Sequence, residues 1–229
     1  MPPRALDPAG VALVDKPAGP SSFAVVSQIR RVTGARTGHA GTLDPFATGL
    51  LLVLSGRTTK IAPCLVGLDK RYTTAVDLTA RTSTGDPEGE VVESLEPPAE
   101  AELEQQLAAL RGEIELPIPA ASAVKIGGER AYRLARRGVD AEMPLRRSTV
   151  FALDVIAYTG DAVTLDLRVS SGTYVRAIAH ALGGHCRTLR RTEVGPFDVA
   201  DAVAPEAFEP ACMLAESDVL ARVERSRAS

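Results

Sequence analysis

The sequence has no tryptophan, only three cysteines, and few aromatic residues, which make up 4% of its 229 positions. The three cysteines form no C-x-x-C pair, so neither a disulfide framework nor a zinc site is expected. The longest aliphatic run, at positions 50–54, is far too short to cross a bilayer, and the first ten residues have no apolar signal core. We therefore expect a cytoplasmic protein that needs neither a metal nor a membrane.

Glycine is present in number but in no pattern that indicates a nucleotide site. Gly34, Gly38, Gly41 and Gly49 surround one loop, yet they spell neither G-x-G-x-x-G nor a P-loop. Tight turns alone account for most of them. An enzyme that binds a nucleotide through this loop stays an alternative, and it would show saturation by ATP or NAD.

The charges are segregated although the net charge is only −3. Basic residues dominate at positions 1–60, 125–150 and 168–191, and the last stretch has five arginines and no acid. Acidic residues concentrate at positions 85–115 and after position 192. If folding brings the basic stretches to one face, that face attracts a polyanion; if they point apart, they are merely solvated. Charge counts leave both possibilities open.

Hydrophobic periodicity predicts a mixture of strands and helices without strict alternation. Strands are predicted at "GVALVDK", "LLLVLS" and "KRYTTAVDLTA", and a hairpin around Gly160 and Asp161. A helix is predicted with Ser21 or Ser22 as its N-cap and Gly34 just past its end, and two more over "PPAEAELEQQLAALRG" and "TYVRAIAHALGG". A basic helix is predicted after the tight Gly127-Gly128 turn. A hairpin among mixed elements favours an α+β fold with a mainly antiparallel sheet flanked by helices.

A single acid, Asp44, lies in a loop between Leu43 and Pro45, just before the aliphatic run. Its carboxylate could simply bond local backbone amides in an Asx turn. A functional carboxylate in this apolar setting would need a cation, and arginine suits that role because it stays charged and grips two oxygens. Arg176, at the start of a predicted helix, is the candidate partner.

Six blocks of the sequence resemble the TruB family of tRNA pseudouridine-55 synthases, in the order in which that family has them. "GHAGTLDPFATGLL" resembles its catalytic motif. The other five blocks are "VDKPAGPSS", "DKRYTTAVDLTARTSTGDPEG", "SAVKIGGERAYRLARRG", "SSGTYVRAIAHALG" and "LRRTEVGPF". The resemblance implies the pseudouridine synthase fold with a basic RNA-binding cleft, and isomerisation of a tRNA T-loop uridine without any cofactor.

The resemblance also implies roles for individual residues. Asp44 corresponds to the nucleophile, Tyr72 to the active-site tyrosine that stacks on the uracil, and Arg176 to the arginine that pairs with the carboxylate. Without the resemblance, Tyr72 would be an ordinary strand aromatic and Arg176 a solvated helix residue. Further residues are expected to contact the RNA substrate: His39, which enters the space left by the everted base, Tyr174 and Leu189 in the uracil pocket, and Gly41, Thr42 and Arg190. Lys16, which would otherwise be an ordinary surface lysine, is expected to have a structural or RNA-contacting role.

We expect residues 10–197 to form the catalytic domain and residues 198–229 a short helical tail, too short for the PUA domain of most family members. The segment between Arg176 and Leu189 is shorter than is typical, and Ala121 replaces a common tyrosine. The expected partner is the T-arm of tRNA, bound by a monomer that requires no protein partner. The alternatives are a non-catalytic tRNA-binding or tRNA-folding protein on the same scaffold and a pseudouridine synthase for another RNA site.

Overall fold

The computed structural model describes residues 8–228 except 123, 132, 134–136, 138, 140 and 141. They divide into two compact units. The first unit contains the residues up to Tyr72 and those from Arg190 onward, and the second contains Thr73–Leu189. The basic helix predicted after the Gly127-Gly128 turn falls largely outside the described residues.

The strands of both units are numbered in chain order. They are β1 (Gly10–Lys16), β2 (Thr37–His39), β3 (Thr48–Ser55), β4 (Lys70–Asp77), β5 (Ala80–Thr82), β6 (Val91–Ser94), β7 (Gly112–Pro117), β8 (Lys125–Ile126), β9 (Glu129–Arg130), β10 (Leu145–Tyr158), β11 (Ala162–Val169), β12 (His185–Val194) and β13 (Phe197–Asp198). Two of them, β4 and β12, contain residues of both units.

Five α-helices are found among the described residues: α1 (Ser22–Thr33), α2 (Ala62–Val66), α3 (Glu100–Ala109), α4 (Val175–Ala181) and α5 (Glu216–Ala228). The predicted start of α1 is confirmed, because Ser21 caps it by accepting from the amide of Ala24. Gly34 ends the same helix in the left-handed conformation, with φ 67°. No helix in the described part of the chain is long and apolar enough to cross a membrane.

In the first unit, β3 is the central and most deeply buried strand. It pairs antiparallel with β1 and β2, and β12 runs parallel to its start. Because side chains alternate along a strand, Leu50, Leu52 and Leu54 face one core and Leu51 and Val53 face another. Helix α1 covers the second core, while β13 and α5 contribute to the first. The segment predicted as a tail is thus packed into this unit.

In the second unit, the strand order is β12-β4-β11-β10-β7. The long strand β10 pairs antiparallel with both β11 and β7, and the predicted hairpin around Gly160 joins it to β11. Two short hairpins, β5-β6 and β8-β9, stand apart from this sheet. The predicted α+β class with a mainly antiparallel sheet flanked by helices is confirmed.

Candidate active site

Asp44 lies half-buried in the loop that connects β2 to β3. The loop is anchored on both sides of it, since Leu43 is 3% exposed and Ala47 is fully buried. A backbone bond from the amide of Ala47 to the carbonyl of Asp44 closes a turn (3.1 Å). The apolar run of β3 follows at once, so the loop is attached to the most deeply buried strand of the first unit.

Ser22, the first residue of α1, clamps the residue before the acid. Its hydroxyl accepts a hydrogen bond from the amide of Leu43 at 2.8 Å and donates one to the carbonyl of Leu43 at 2.9 Å. The side chain is 2% exposed, so water does not compete for either hydrogen bond. This contact orients the peptide unit that leads into Asp44.

Lys16, the last residue of β1, holds the loop after the acid. Its ammonium group donates to the carbonyls of Pro17 (2.8 Å), Pro45 (3.0 Å) and Ala47 (2.7 Å). The residue is fully buried. A charge is costly in such a place unless carbonyl dipoles surround it, and here they come from the loop itself. Lys16 therefore has a structural role, and its predicted contact with RNA stays a prediction.

Arg191, on β12, holds the loop before the acid. It is 1% exposed and donates to the carbonyls of Leu50 (2.7 Å), Gly41 (3.1 Å) and Thr42 (3.5 Å). A Cβ atom on Gly49 would lie 2.2 Å from the carbonyl oxygen of Arg191, so the two strands meet this closely only because that position is glycine. Gly41 and Thr42, both predicted substrate contacts, here present their carbonyls to this arginine.

Arg190, the neighbour of Arg191, points the other way because side chains alternate along a strand. Its guanidinium forms a two-pronged ion pair with Asp15, with N–O distances of 3.0 and 2.8 Å. The pair is partly exposed. The predicted phosphate contact of Arg190 stays a prediction, whereas the role of Arg191 was missed by sequence reasoning, which could not tell the two arginines apart.

The surroundings of His39, at the end of β2, favour the neutral form of its side chain. Burial lowers the pKa of its imidazole, and the positive charge of Arg191 lowers it further. Its Nδ1 atom is buried without a hydrogen-bond partner among the described residues. An uncharged ring is less costly to insert among bases than a charged one, and the predicted insertion stays a prediction.

Lys70 and Tyr72 lie two residues apart on β4 and share one face of the strand. Tyr72 is 8% exposed and Lys70 is 6% exposed. The ammonium group of Lys70 bonds the carbonyls of Val66 and Leu68. Burial lowers the pKa of Lys70 to about 8, with a further contribution from the charge of Arg191. Sequence reasoning passed over this lysine, which lies beside the predicted catalytic tyrosine.

Arg176, on α4 in the second unit, is 4% exposed. It donates to the carbonyls of Thr84 (2.6 Å) and Ala121 (2.9 Å) and lies 3.5 Å from a carboxylate oxygen of Asp86. Its guanidinium is thus fixed in position. Asp44 belongs to the first unit and Arg176 to the second, and their predicted pairing stays a prediction.

Asp86 is a second acid that sequence reasoning missed. Its carboxylate accepts from the hydroxyl of Thr84 (2.5 Å) and from the amide of Glu88 (3.1 Å). It is 4% exposed, so its ion pair with Arg176 is shielded from water. The available signal was an aspartate followed by proline in a glycine-containing turn, "STGDPEG", a combination that the loop of Asp44 also has.

The remaining predicted residues lie in the second unit. Tyr174 precedes α4 and is half-buried, and Leu189 lies on β12 with 6% exposure. Within the described part of the chain, no three His, Cys, Asp or Glu side chains are grouped so as to hold a metal ion.

Comparison with known families agrees with this arrangement. Residues 30–175 match the TruB family pseudouridylate synthase (N terminal domain). The chain is 43% identical over 222 residues to tRNA pseudouridine synthase B of Corynebacterium jeikeium, covering 89% of this chain and 72% of that relative. It is 38% identical over 211 residues to the protein of the same name from Bordetella avium, covering 87% and 86%.

Solved structures with the same fold include a chain in the crystal structure of a Cbf5-Nop10-Gar1 complex. The TM-score is 0.66 at 27% identity; the match covers 89% of this chain and only 57% of that one. A crystal structure of a pseudouridylate synthase matches with a TM-score of 0.51 at 16% identity, over 96% of this chain and 76% of that one, which bears on the fold alone. The family match spans more than half of the sequence, and close relatives agree over most of it: the chain belongs to the TruB family of pseudouridylate synthases.

Proposed function

We propose that this protein is an isomerase, a tRNA pseudouridine synthase, which converts the T-loop uridine (uridine 55) of tRNA to pseudouridine. The observation that carries the proposal is the loop of Asp44, whose backbone is held by Ser22, Lys16 and Arg191 from three elements of the first unit. A carboxylate that is only a turn former does not need three buried side chains to hold its loop. A nucleophile does, because misplacement of a reacting atom by 1 Å can cost about 100-fold in rate.

The reaction breaks the bond between N1 of uracil and C1′ of the ribose and makes a bond from C5 to C1′. In this proposal the Asp44 carboxylate attacks C1′ or C6 and forms a covalent intermediate, which divides the exchange into two easier steps. The base turns, C5 bonds to C1′, and the carboxylate leaves. The proton on C5 must then pass to N1 or to solvent through a nearby base. Atoms and electrons balance without a metal or a redox cofactor.

The other predicted residues take supporting roles. Tyr72 stacks on the uracil and assists the proton transfer at C5, and Tyr174 and Leu189 line the uracil pocket. Arg176, held by Asp86, keeps the nucleophile ionised. His39 enters the stack in place of the everted base, and an uncharged imidazole suits that place because base eversion already costs a few kcal/mol.

The substrate class follows from the same reasoning. RNA recognition with sequence specificity targets loops whose bases can be splayed out, and the T-arm is such a loop on a short stem. Binding by phosphate contacts should weaken steeply with salt. A monomer acting on tRNA in the cytoplasm, without a protein partner, completes the proposal.

The direct test is incubation with an unmodified T-arm hairpin without added cofactor, followed by detection of pseudouridine at the position of uridine 55. We expect conversion by the wild type and none by Asp44→Asn, which should still bind the hairpin. Asp161→Asn is a matched control at an exposed hairpin turn and should retain full activity. Binding and refolding of tRNA without conversion by the wild type would favour the non-catalytic alternative. Conversion by Asp44→Asn would exclude the mechanism.

A further inference from the structure

Two adjacent arginines on β10, Arg146 and Arg147, face opposite sides of the second unit's sheet. In the pairing with β7, Arg147 lies directly opposite Glu115 and Arg146 directly opposite Leu116. Arg147 forms an exposed ion pair with Glu115 at 3.3 Å. Arg146 is also exposed, but no ion pair or hydrogen bond of its side chain is found within the described residues. Among the described residues, therefore, one guanidinium is neutralised and the other has no counter-ion.

The guanidinium of Arg146 lies close to the backbone at Gly172. A Cβ atom on Gly172 would lie 2.1 Å from Nη2, 2.7 Å from Cζ and 3.0 Å from Nε of Arg146. A side chain at position 172 would therefore displace the guanidinium from this place. The positive φ of Gly172, +80°, also favours glycine at this position. The missing side chain thus makes room for the arginine.

This contact places Arg146 beside residues of the candidate site. Arg146 shares a narrow crevice with Thr173, Tyr174 and Ala177, which belong to the turn before α4 and to α4 itself. Arg176 lies on the same helix. Arg147 instead lines a different, polar depression together with Glu113, Glu115 and Ser170. The free guanidinium is therefore on the side of the sheet where the predicted uracil-contacting tyrosine lies.

We propose that Arg146 binds a backbone phosphate of the RNA substrate next to the target uridine and that Gly172 is the platform that orients it. A planar guanidinium can bond two phosphate oxygens at once, and one that already lies against a rigid surface loses little freedom on binding. The inference rests on the proposed function, since it assigns to RNA a group for which the described residues supply no counter-ion.

The test compares Arg146→Gln with its neighbour Arg147→Gln. For Arg146→Gln we expect about tenfold weaker binding of the T-arm hairpin, the loss of one charge-assisted contact. The slope of log Kd against log salt concentration should also fall by about one. Arg147→Gln removes an equal charge that is already paired, so its Kd should change less than twofold. Arg146→Lys keeps the charge and should keep the salt slope while regaining only part of the affinity.

Turnover at saturating RNA separates binding from a structural role. A phosphate contact made equally in the ground and transition states leaves kcat unchanged. The inference is overturned if Arg146→Gln and Arg147→Gln bind alike, or if Arg146→Gln loses kcat while its Kd and salt slope stay at wild-type values. A wild type that makes no pseudouridine contradicts the proposed function, whereas the comparison of the two arginines still reports on RNA binding.

Discussion

The turn around Asp44 and the turn around Asp86 each combine an aspartate with buried basic side chains, but the basic groups bond different atoms. At Asp86 the carboxylate itself is tied down by Thr84, the amide of Glu88 and Arg176. At Asp44 the cations Lys16 and Arg191 donate to backbone carbonyls of the loop. The first arrangement uses its acid to position an arginine. The second holds the backbone of the loop on both sides of a half-buried acid. In the proposed function the first acid is structural and the second chemical.

The strongest test of this contrast exchanges each acid for its amide. Asp44→Asn should reduce turnover below detection, because an amide is not a nucleophile. Asp86→Asn should lower kcat by about 100-fold, the cost of an arginine shifted by about 1 Å. The rate of pseudouridine formation in a single turnover is measured for both variants. Equal losses in the two variants would contradict the division between a chemical and a structural acid.

A second test compares the buried and exposed arginines of β12. Arg191→Gln should lower the free energy of unfolding by about 3 kcal/mol, because it removes the donor from three carbonyls in the interior. Arg190→Gln removes only a partly exposed pair with Asp15 and should cost about 0.5 kcal/mol. Urea denaturation of both variants measures the two losses in the free energy of unfolding. An Arg190 variant as unstable as the Arg191 variant would mean that the loop is not held as described.

A smaller effect is expected from two adjacent serines. Ser22→Ala removes both hydrogen bonds to Leu43 and should cost about 2 kcal/mol, with a fall in kcat because the loop of Asp44 loosens. Ser21→Ala removes the cap of α1 and should cost about 1 kcal/mol without affecting kcat. Denaturation and turnover are measured together on both variants. A fall in kcat in Ser21→Ala equal to that in Ser22→Ala would show that α1, not the clamp, controls the loop.

The last test concerns a pH dependence of the free energy of unfolding that comes from Lys70. Its pKa is lowered to about 8 in the folded protein from 10.5 when unfolded. Between these values the unfolded state binds more protons, so this group makes stability rise with pH from about 8 to 10.5. Below pH 8 both states are protonated and the contribution is constant. Lys70→Met should lack this rise in denaturation curves collected across that range, and an unchanged slope would contradict the assignment.

Much of the local structure could be read from residue patterns. The cap at Ser21, the glycine end of α1, the aliphatic strand β3 and the hairpin at Gly160 depend on short-range preferences, and all were predicted. The family followed from six ordered motifs. The residues that hold the loop of Asp44 were harder to predict. Lys16 looked like a surface lysine, and Arg191 looked like its neighbour Arg190, because burial is not a property of the residue but of its place in the sheet.

By itself the sequence determined the elements, the family and the choice of Asp44 as the acid of interest, because each depends on contiguous residues. Tertiary structure alone decided which cation faces inward. The hydrogen bond from Arg191 to Leu50 joins residues that are 141 positions apart in the sequence. The bond from Arg176 to the carbonyl of Thr84 joins residues 92 positions apart. The pleat of a strand assigns adjacent arginines to opposite faces, and only the register with its neighbours tells which face is buried.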